Sequence, residues 1–480
     1  MLEKRITLGL IPANRAFFSD KLASKMRGQA IKAIKTAGAR VIVPDATMTK
    51  VGCVESLDEA EKVGKLFRQA NVDGIVIGAM NFGDEQAVAH TLRRAGLDVP
   101  ILVFGCQEES RLTRKLSRRD SFCGLLSIGE ALRQIGMKYT VAQVPICYPS
   151  DASFKKDLAW FLGVCRVVTG VRNARYGQIG ARPDAFWTCR MDEKQLQRLG
   201  VTTVTLDLSE IIARVQKMRL NAGVKRTMAN IKRYINTSAV PERRLEQIAK
   251  FEHAVDRFVE EANLDGLAIQ CWTSVQDNLE ICTCGTMGRL GDRGIPCACE
   301  VDVLGTLTMH SLMLAAESPA ALADWNNLHH KDPELVNLWH CGVFPPSFAG
   351  TQPKMGPQTI LATVRDPELC MGVVEFEMKS GPVTVARVTQ DADGRWKSVM
   401  AEGKVERTDA KTFGAFGWTR IKGLQRLYRD VLMRHFPHHA GLTRAHVGNI
   451  LWEAWGNYLG FDVYTPDRTA PGQYDPSLPF

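Results

Sequence analysis

Long apolar runs are missing from this chain. No window approaches roughly 18 uninterrupted apolar residues, so no membrane-spanning helix is expected. Blocks of like charge are missing too. There is no run of five or six Lys/Arg and no basic stretch interleaved with aromatics, which argues against nucleic-acid binding. The GxxxxGK[ST] phosphate loop is absent, and so are internal repeats and low-complexity segments. The start, Met1-Leu2-Glu3-Lys4-Arg5, lacks the apolar core of a signal peptide. The 13 cysteines are odd in number and scattered, as expected of reduced thiols, and together these features point to the cytoplasm.

What is present is ordinary for a globular protein: 480 residues, 45% hydrophobic, 24% charged, net charge +9. At roughly 100–200 residues per domain this length suggests two to four domains. The spread of the charge implies a solvated basic surface; an anionic substrate is compatible with it but not indicated by it.

The first part alternates short apolar runs with amphipathic helices. Strands are expected at 6–11, 40–44, 72–78 and 99–105, with helices at 19–36, 57–69 and after Asp84, which is placed to cap its helix. Such a pattern implies a parallel sheet covered on both faces, with ligands beyond the strands' carboxyl ends. That puts Pro12–Arg15 and Ala79–Gly83 on functional edges. A long helix near 154–170 closes this unit. The alternation resumes with strands at 201–206 and 267–271, the second delivering Gln270 to an edge, and a charged helix at 241–262. From 359 the pattern becomes consecutive strands (359–364, 371–377, 382–389, 396–402) with turns between, then helices near 422–434 and 444–459. The expectation is an α/β protein: two doubly wound parallel-sheet domains, at 1–170 and 171–350, followed by a small antiparallel β-barrel domain with C-terminal helices at 351–480.

Several groups of residues can carry chemistry. Cys282-Thr-Cys284 and Cys297-Ala-Cys299 could supply four thiolates to zinc, but the spacing is a poor match to zinc ribbons, and two residues apart in a strand share one buried face. Gly285–Gly294 is expected to be a mobile loop beside a site. Glu300 follows an apolar run and sits at a strand end, either as ligand or acid/base, or as a helix cap. Asp324 follows small apolar residues, where a turn is the plain reading. His340 follows a strand-like run, where a structural histidine is the commoner case. His435, His438, His439 and His446 crowd one Pro/Gly-containing loop, although the chain has only ten histidines. Loops held on a scaffold carry function more often than packing.

With these residues together, the chain resembles the superfamily of L-fucose isomerase and L-arabinose isomerase. Pro296–Met309 resembles the segment in which a metal-binding glutamate precedes a helix. Asp324 follows Glu300 by 24 residues, the separation of the acidic ligands in fucose isomerase. His438–Gly448 resembles the C-terminal histidine motif, with His439 at the ligand position and His446 at a non-ligand one. The strands around 377–402 match the family's barrel.

The resemblance implies a ketose–aldose isomerase acting through an enediolate. It implies a Mn2+ ion (or Co2+ or Mg2+) held by Glu300, Asp324, His439 and, as in arabinose isomerases, His340. Glu300 and Asp324 double as catalytic acid and base. Arg15, Asn81, Gln270, Trp418 and His438 match substrate-binding positions, with Trp418 as a hydrophobic wall. Arg15 resembles an arginine that reaches a neighbouring subunit's site. That implies a homo-oligomer, hexamer first, with active sites at subunit interfaces, and neither nucleic-acid nor membrane partners. The chain is shorter than typical fucose isomerases, and the Asn81 region replaces a family tryptophan. L-fucose, D-arabinose, another deoxy-sugar or an acidic sugar such as sulfoquinovose therefore all remain open as substrates. The alternatives are a non-catalytic sugar-binding or regulatory protein on the same scaffold, and a protein stabilised by zinc on its C-x-C pairs.

Overall fold

The computed structural model describes residues 5–112 and 118–466. The runs TLGLIPA, GIVIGA and ILVFGC are apolar throughout, as strands buried on both faces must be. They form Thr7–Ala13, Gly74–Ala79 and Ile101–Cys106 of a five-stranded parallel sheet, completed by Arg40–Ile42 and Thr140–Cys147. In space Arg40–Ile42 comes first, followed by Thr7–Ala13, Gly74–Ala79, Ile101–Cys106 and Thr140–Cys147. The strand order reverses between Thr7–Ala13 and Gly74–Ala79, so a switch-point crevice opens there. Helices Asp20–Thr36, Leu57–Ala70 and Glu85–Ala95 start where Ser19, Ser56 and Asp84 accept backbone N–H groups of their first turns.

A second parallel sheet has the order Thr202–Leu206, Arg175–Ile179, Gly266–Ile269, Cys297–Cys299. Helix Val303–Ala316 follows its last strand and packs against Ala152–Arg172 of the first unit.

The third sheet has nine strands, of which six close an antiparallel ring: Ala320–Leu328, Leu335–His340, Ala415–Arg420, Trp396–Glu406, Gly381–Gln390 and His439–Thr443. The barrel is thus present, but two of its strands come from before residue 350. The chain also returns to its beginning: Tyr458 exchanges hydrogen bonds with the backbone of Ile101, 3.1 Å each way.

Four local expectations are corrected. Residues 359–364 form no strand. The Gln358 side chain accepts the Leu361 N–H at 2.6 Å and bends the chain into a short 3-10 turn, Leu361–Thr363. Gly285–Gly294 is no mobile loop: Cys284–Asp292 is a buried helix. Its glycines at helical spacing let neighbouring backbone approach, since a Cβ on Gly288 would stand 2.4 Å from the Phe344 carbonyl oxygen. Asp324 lies within a strand rather than a turn, and His439 opens a strand rather than sitting in a loop.

Candidate active site

Strand Cys297–Cys299 delivers Glu300 to the carboxyl end of the second sheet. Glu300 and Val301 then both adopt left-handed backbone, φ 60° and 57°. For a β-branched valine this conformation is a genuine outlier, and such strain collects at functional sites. Asp302 resolves the choice left open for Glu300. It is Asp302 that caps helix Val303–Ala316, accepting the Gly305 N–H at 2.9 Å, which leaves Glu300 free.

The barrel supplies the rest. In the register of its strands Asp324 lies directly opposite His439, and facing cross-strand side chains are near neighbours. Glu300, buried with 4% exposure, then meets the pair. His439 Nε2 stands 3.1 Å from Glu300 Oε2 and 3.7 Å from Asp324 Oδ1. Neither oxygen accepts a hydrogen bond from any group but this imidazole, although both are buried. The other Glu300 oxygen takes the Trp272 indole N–H at 3.1 Å. On its far side, His439 Nδ1 donates to Asp302 Oδ2 at 2.8 Å. A carboxylate can only accept, so the Nδ1 proton is settled and the neutral ring turns its Nε2 lone pair toward the two free oxygens.

Two buried carboxylate oxygens that both face one imidazole nitrogen require a positive charge beside them. Without an ion the charge is a proton. Burial alone would lower the His439 pKa, but Asp302, Cys189 and Glu300 hold it well above the ordinary histidine value. Two ligands on arms of about 2.1 Å at right angles stand about 3 Å apart, close to the Glu300–His439 separation. Oxygen and imidazole donors suit Mg2+ or Mn2+ better than a thiophilic ion. Glu300 and His439 therefore have the chemistry and spacing of two ligands of a hard divalent cation, with Asp324 on the other side of the same nitrogen as the candidate third.

The remaining sequence-derived candidates fall in different places. His340 is buried with its ring 5.9 Å from that of His439. Its Nδ1 accepts the Cys341 backbone N–H at 2.9 Å, so the neutral ring carries its proton on Nε2. In this geometry it offers a donor rather than a fourth ligand atom. His438 is partly exposed, 3.8 Å from Asp324, with the Phe186 ring edge-on to it at 6.1 Å. Burial and the neighbouring His439 push its pKa down. Gln270 spends its amide on backbone, accepting the Ala181 N–H and donating to the Trp272 carbonyl. Trp418 is turned away, donating to Ala410 O at 2.8 Å and packing on His329; the aromatic group in contact with the Glu300 carboxylate is Trp272. Arg15 and Asn81 stand at the switch point of the first sheet, the Arg15 N–H donating to Asn81 Oδ1 at 3.1 Å. The Arg15 side chain pairs with Glu85 and Gly83 O. His446 bonds Gly403 O, in keeping with its non-ligand position.

One thiol from each C-x-C pair, Cys284 and Cys299, reaches Cys341, but the four thiols of the two pairs do not form one metal centre among the described residues. Cys299 contacts Cys271 at 3.0 Å, and Cys284 contacts Cys341 at 3.6 Å. Sequence reasoning missed Trp272, Cys189, the role of Asp302, and Arg387. A signal for the last was there: Arg387 is the lone charge in the alternating strand GPVTVARVTQ.

Two family models match the chain. One, fucose/sulfoquinovose isomerase, N-terminal domain, covers residues 9–172. The other, L-fucose isomerase, C-terminal domain, covers residues 338–465. Glu300 and Asp324 lie between the matched stretches, so their grouping with His439 rests on the geometry above. The chain is similar to a sulfoquinovose isomerase of Priestia megaterium, 24% identical over 401 residues, 82% of this chain and 84% of the relative. It is similar to another sulfoquinovose isomerase, from Alkalicoccus urumqiensis, 26% identical over 328 residues, 67% of this chain and 70% of the relative. Likeness to solved structures is slight. A periplasmic solute binding protein from Actinobacillus succinogenes with bound D-allose aligns with 66% of this chain and 93% of its own at 11% identity and a TM-score of 0.18, which carries no argument.

Proposed function

The chain belongs to the fucose isomerase-like superfamily and is a ketose–aldose isomerase, and from that premise we propose that it interconverts sulfoquinovose, or a related acidic or deoxy-sugar, with the corresponding ketose, using Glu300, Asp324 and His439 around a divalent cation, Mn2+ first. The observation that carries the metal reading is the meeting of His439 Nε2 with two buried, otherwise unpartnered carboxylate oxygens. Bound there, the ion would supply Lewis acidity toward the sugar's carbonyl and neighbouring hydroxyl oxygens.

The side chains do the proton work. One of Glu300 and Asp324 removes the proton from the carbon beside the carbonyl, leaving an enediolate, and returns it to the former carbonyl carbon, while the other assists the proton transfer between the two oxygens. Trp272 holds one Glu300 oxygen, so the second keeps a constant aim. His340 adds a donor beside them, and Phe186 with His438 narrows the half-open side and limits water.

The name carried by the relatives supports the sulfonated substrate. The switch-point edge supports assembly: Arg15 stands there beside Phe17, which is 98% exposed. A second copy docking on this edge would bury Phe17 and present Arg15 to its neighbour's site, with a hexamer as the first choice. The test is a coupled screen of aldoses with Mn2+ and again after chelation. Sulfoquinovose is expected to turn over fastest, only with metal. Turnover unaffected by chelation removes the metal reading, and no turnover of sulfoquinovose beside brisk turnover of L-fucose removes the substrate.

A further inference from the structure

We infer that Asp302 and Arg387 form a positioning pair that holds His439 with Nε2 turned toward Glu300 and Asp324, an inference that rests on the metal reading above. Arg387 comes from barrel strand Gly381–Gln390, which is hydrogen-bonded to the strand that opens with His439. Asp302 comes from the other side, at the start of helix Val303–Ala316. The guanidinium grips both oxygens of Asp302, at 2.5 and 3.0 Å, with both side chains fully buried. The same carboxylate caps the helix and takes the His439 Nδ1 proton.

Each contact has a physical consequence. A buried carboxylate without a partner would take up a proton and cease to be an acceptor. A bidentate arginine prevents that and fixes the plane of the carboxylate. The carboxylate then selects one imidazole tautomer and one ring orientation, as partners behind a ligating histidine generally do. Space is reserved for this arrangement. A Cβ on Gly305 would stand 2.7 Å from Asp302 Oδ2, so the close approach needs glycine. The pair also joins two separate pieces of the chain, so the placement of the histidine depends on the barrel seating against the second sheet.

A merely structural ion pair and a positioning pair predict different results. Replacing a buried pair by apolar residues of similar size often leaves stability intact. The test is Mn2+ binding to the full chain, followed by the electron paramagnetic resonance of free Mn2+, with melting temperature measured alongside. Asp302→Leu/Arg387→Met is expected to stay folded yet bind Mn2+ about 10- to 100-fold more weakly. Arg387→Lys, which keeps the charge, is expected to lose less affinity than the double variant. A folded double variant that binds Mn2+ like the parent overturns the positioning role alone. A parent chain that binds no Mn2+ overturns this inference together with the metal reading. Should the double variant not fold, Asp302→Asn, which keeps the cap, carries the same test: weakened binding supports the pair, and parent-like binding overturns it.

Discussion

At the switch point of the first sheet, the polar side chains around Arg15 find partners within the chain: Arg15 with Glu85 and Gly83 O, Asn81 with Asn14, Asn14 with Asp20 and Glu55. Where the end of the second sheet meets the barrel, Glu300 and Asp324 each keep a buried oxygen that faces only the His439 ring, and Glu300 and Val301 hold strained backbone. The first edge is half-exposed, and its ion pair is of the kind worth ~1 kcal/mol or less. The second pays in strain and desolvation for an arrangement that only a bound cation or proton satisfies. A site ready for chemistry shows itself by what it leaves unpaired; the edge proposed for docking pairs its polar groups within the chain.

The strongest way to sharpen this contrast is Glu300→Gln. It keeps the shape and removes the charge, so activity is expected to fall by ~10³-fold or more while circular dichroism stays unchanged; near-normal turnover would break the assignment. Gly305→Ala comes next. Its methyl group would push on Asp302 Oδ2 and on Leu322. Steady-state rates should drop by about tenfold, and urea titration should show a loss of ~1–3 kcal/mol, as overpacking gives. Arg15→Met tests the other edge. Stability of the isolated chain should change by less than ~1 kcal/mol, whereas kcat/KM and the elution volume on gel filtration should shift together. A large stability loss with no change in activity would make the edge purely structural.

The smallest effect lies away from both regions. Burial raises the Asp157 carboxyl to about 6, against a backbone hydrogen bond from Gln143 that lowers it. Folding therefore favours its protonated form. That stability is complete below the unfolded value, near 4, and is lost as pH rises through about 6. Asp157→Asn should thus raise the melting temperature by about 2–4 °C at pH 8 and leave it unchanged at pH 3.5. An equal effect at both pH values would contradict the burial argument.

Much of the first sheet was legible in advance, because parallel strands buried on both faces are written as continuous apolar runs and Asp84 marks its helix start locally. The segment at 359–364 misled because its apolar residues are arranged around a turn that one side chain, Gln358, imposes. Gly285–Gly294 misled for the opposite reason. Glycine reads as a breaker in isolation, yet packing against the Phe344 backbone makes glycine the residue that fits. Trp418 has the right type for an apolar wall, but its indole N–H is committed to Ala410 O. Arg387 stood in plain view as a single charge in an apolar strand, without any sign of which carboxylate it would meet.

By itself the sequence determined the alternation that makes the parallel sheets, the strand that ends at Glu300, and the residue types able to hold a hard cation. These follow from local pattern: period, caps, and the chemistry of individual side chains. Only the tertiary structure decided that Asp302 rather than Glu300 caps the helix, that barrel register sets Asp324 opposite His439, and that His340 turns its lone pair toward the Cys341 N–H. Those facts depend on which oxygen or nitrogen of a residue faces which neighbour. The pairing of Asp324 with His439 is set by distant strands pressed together, whereas the Asp302 cap and the His340 contact join near neighbours in the chain whose side-chain orientation the surrounding fold selects.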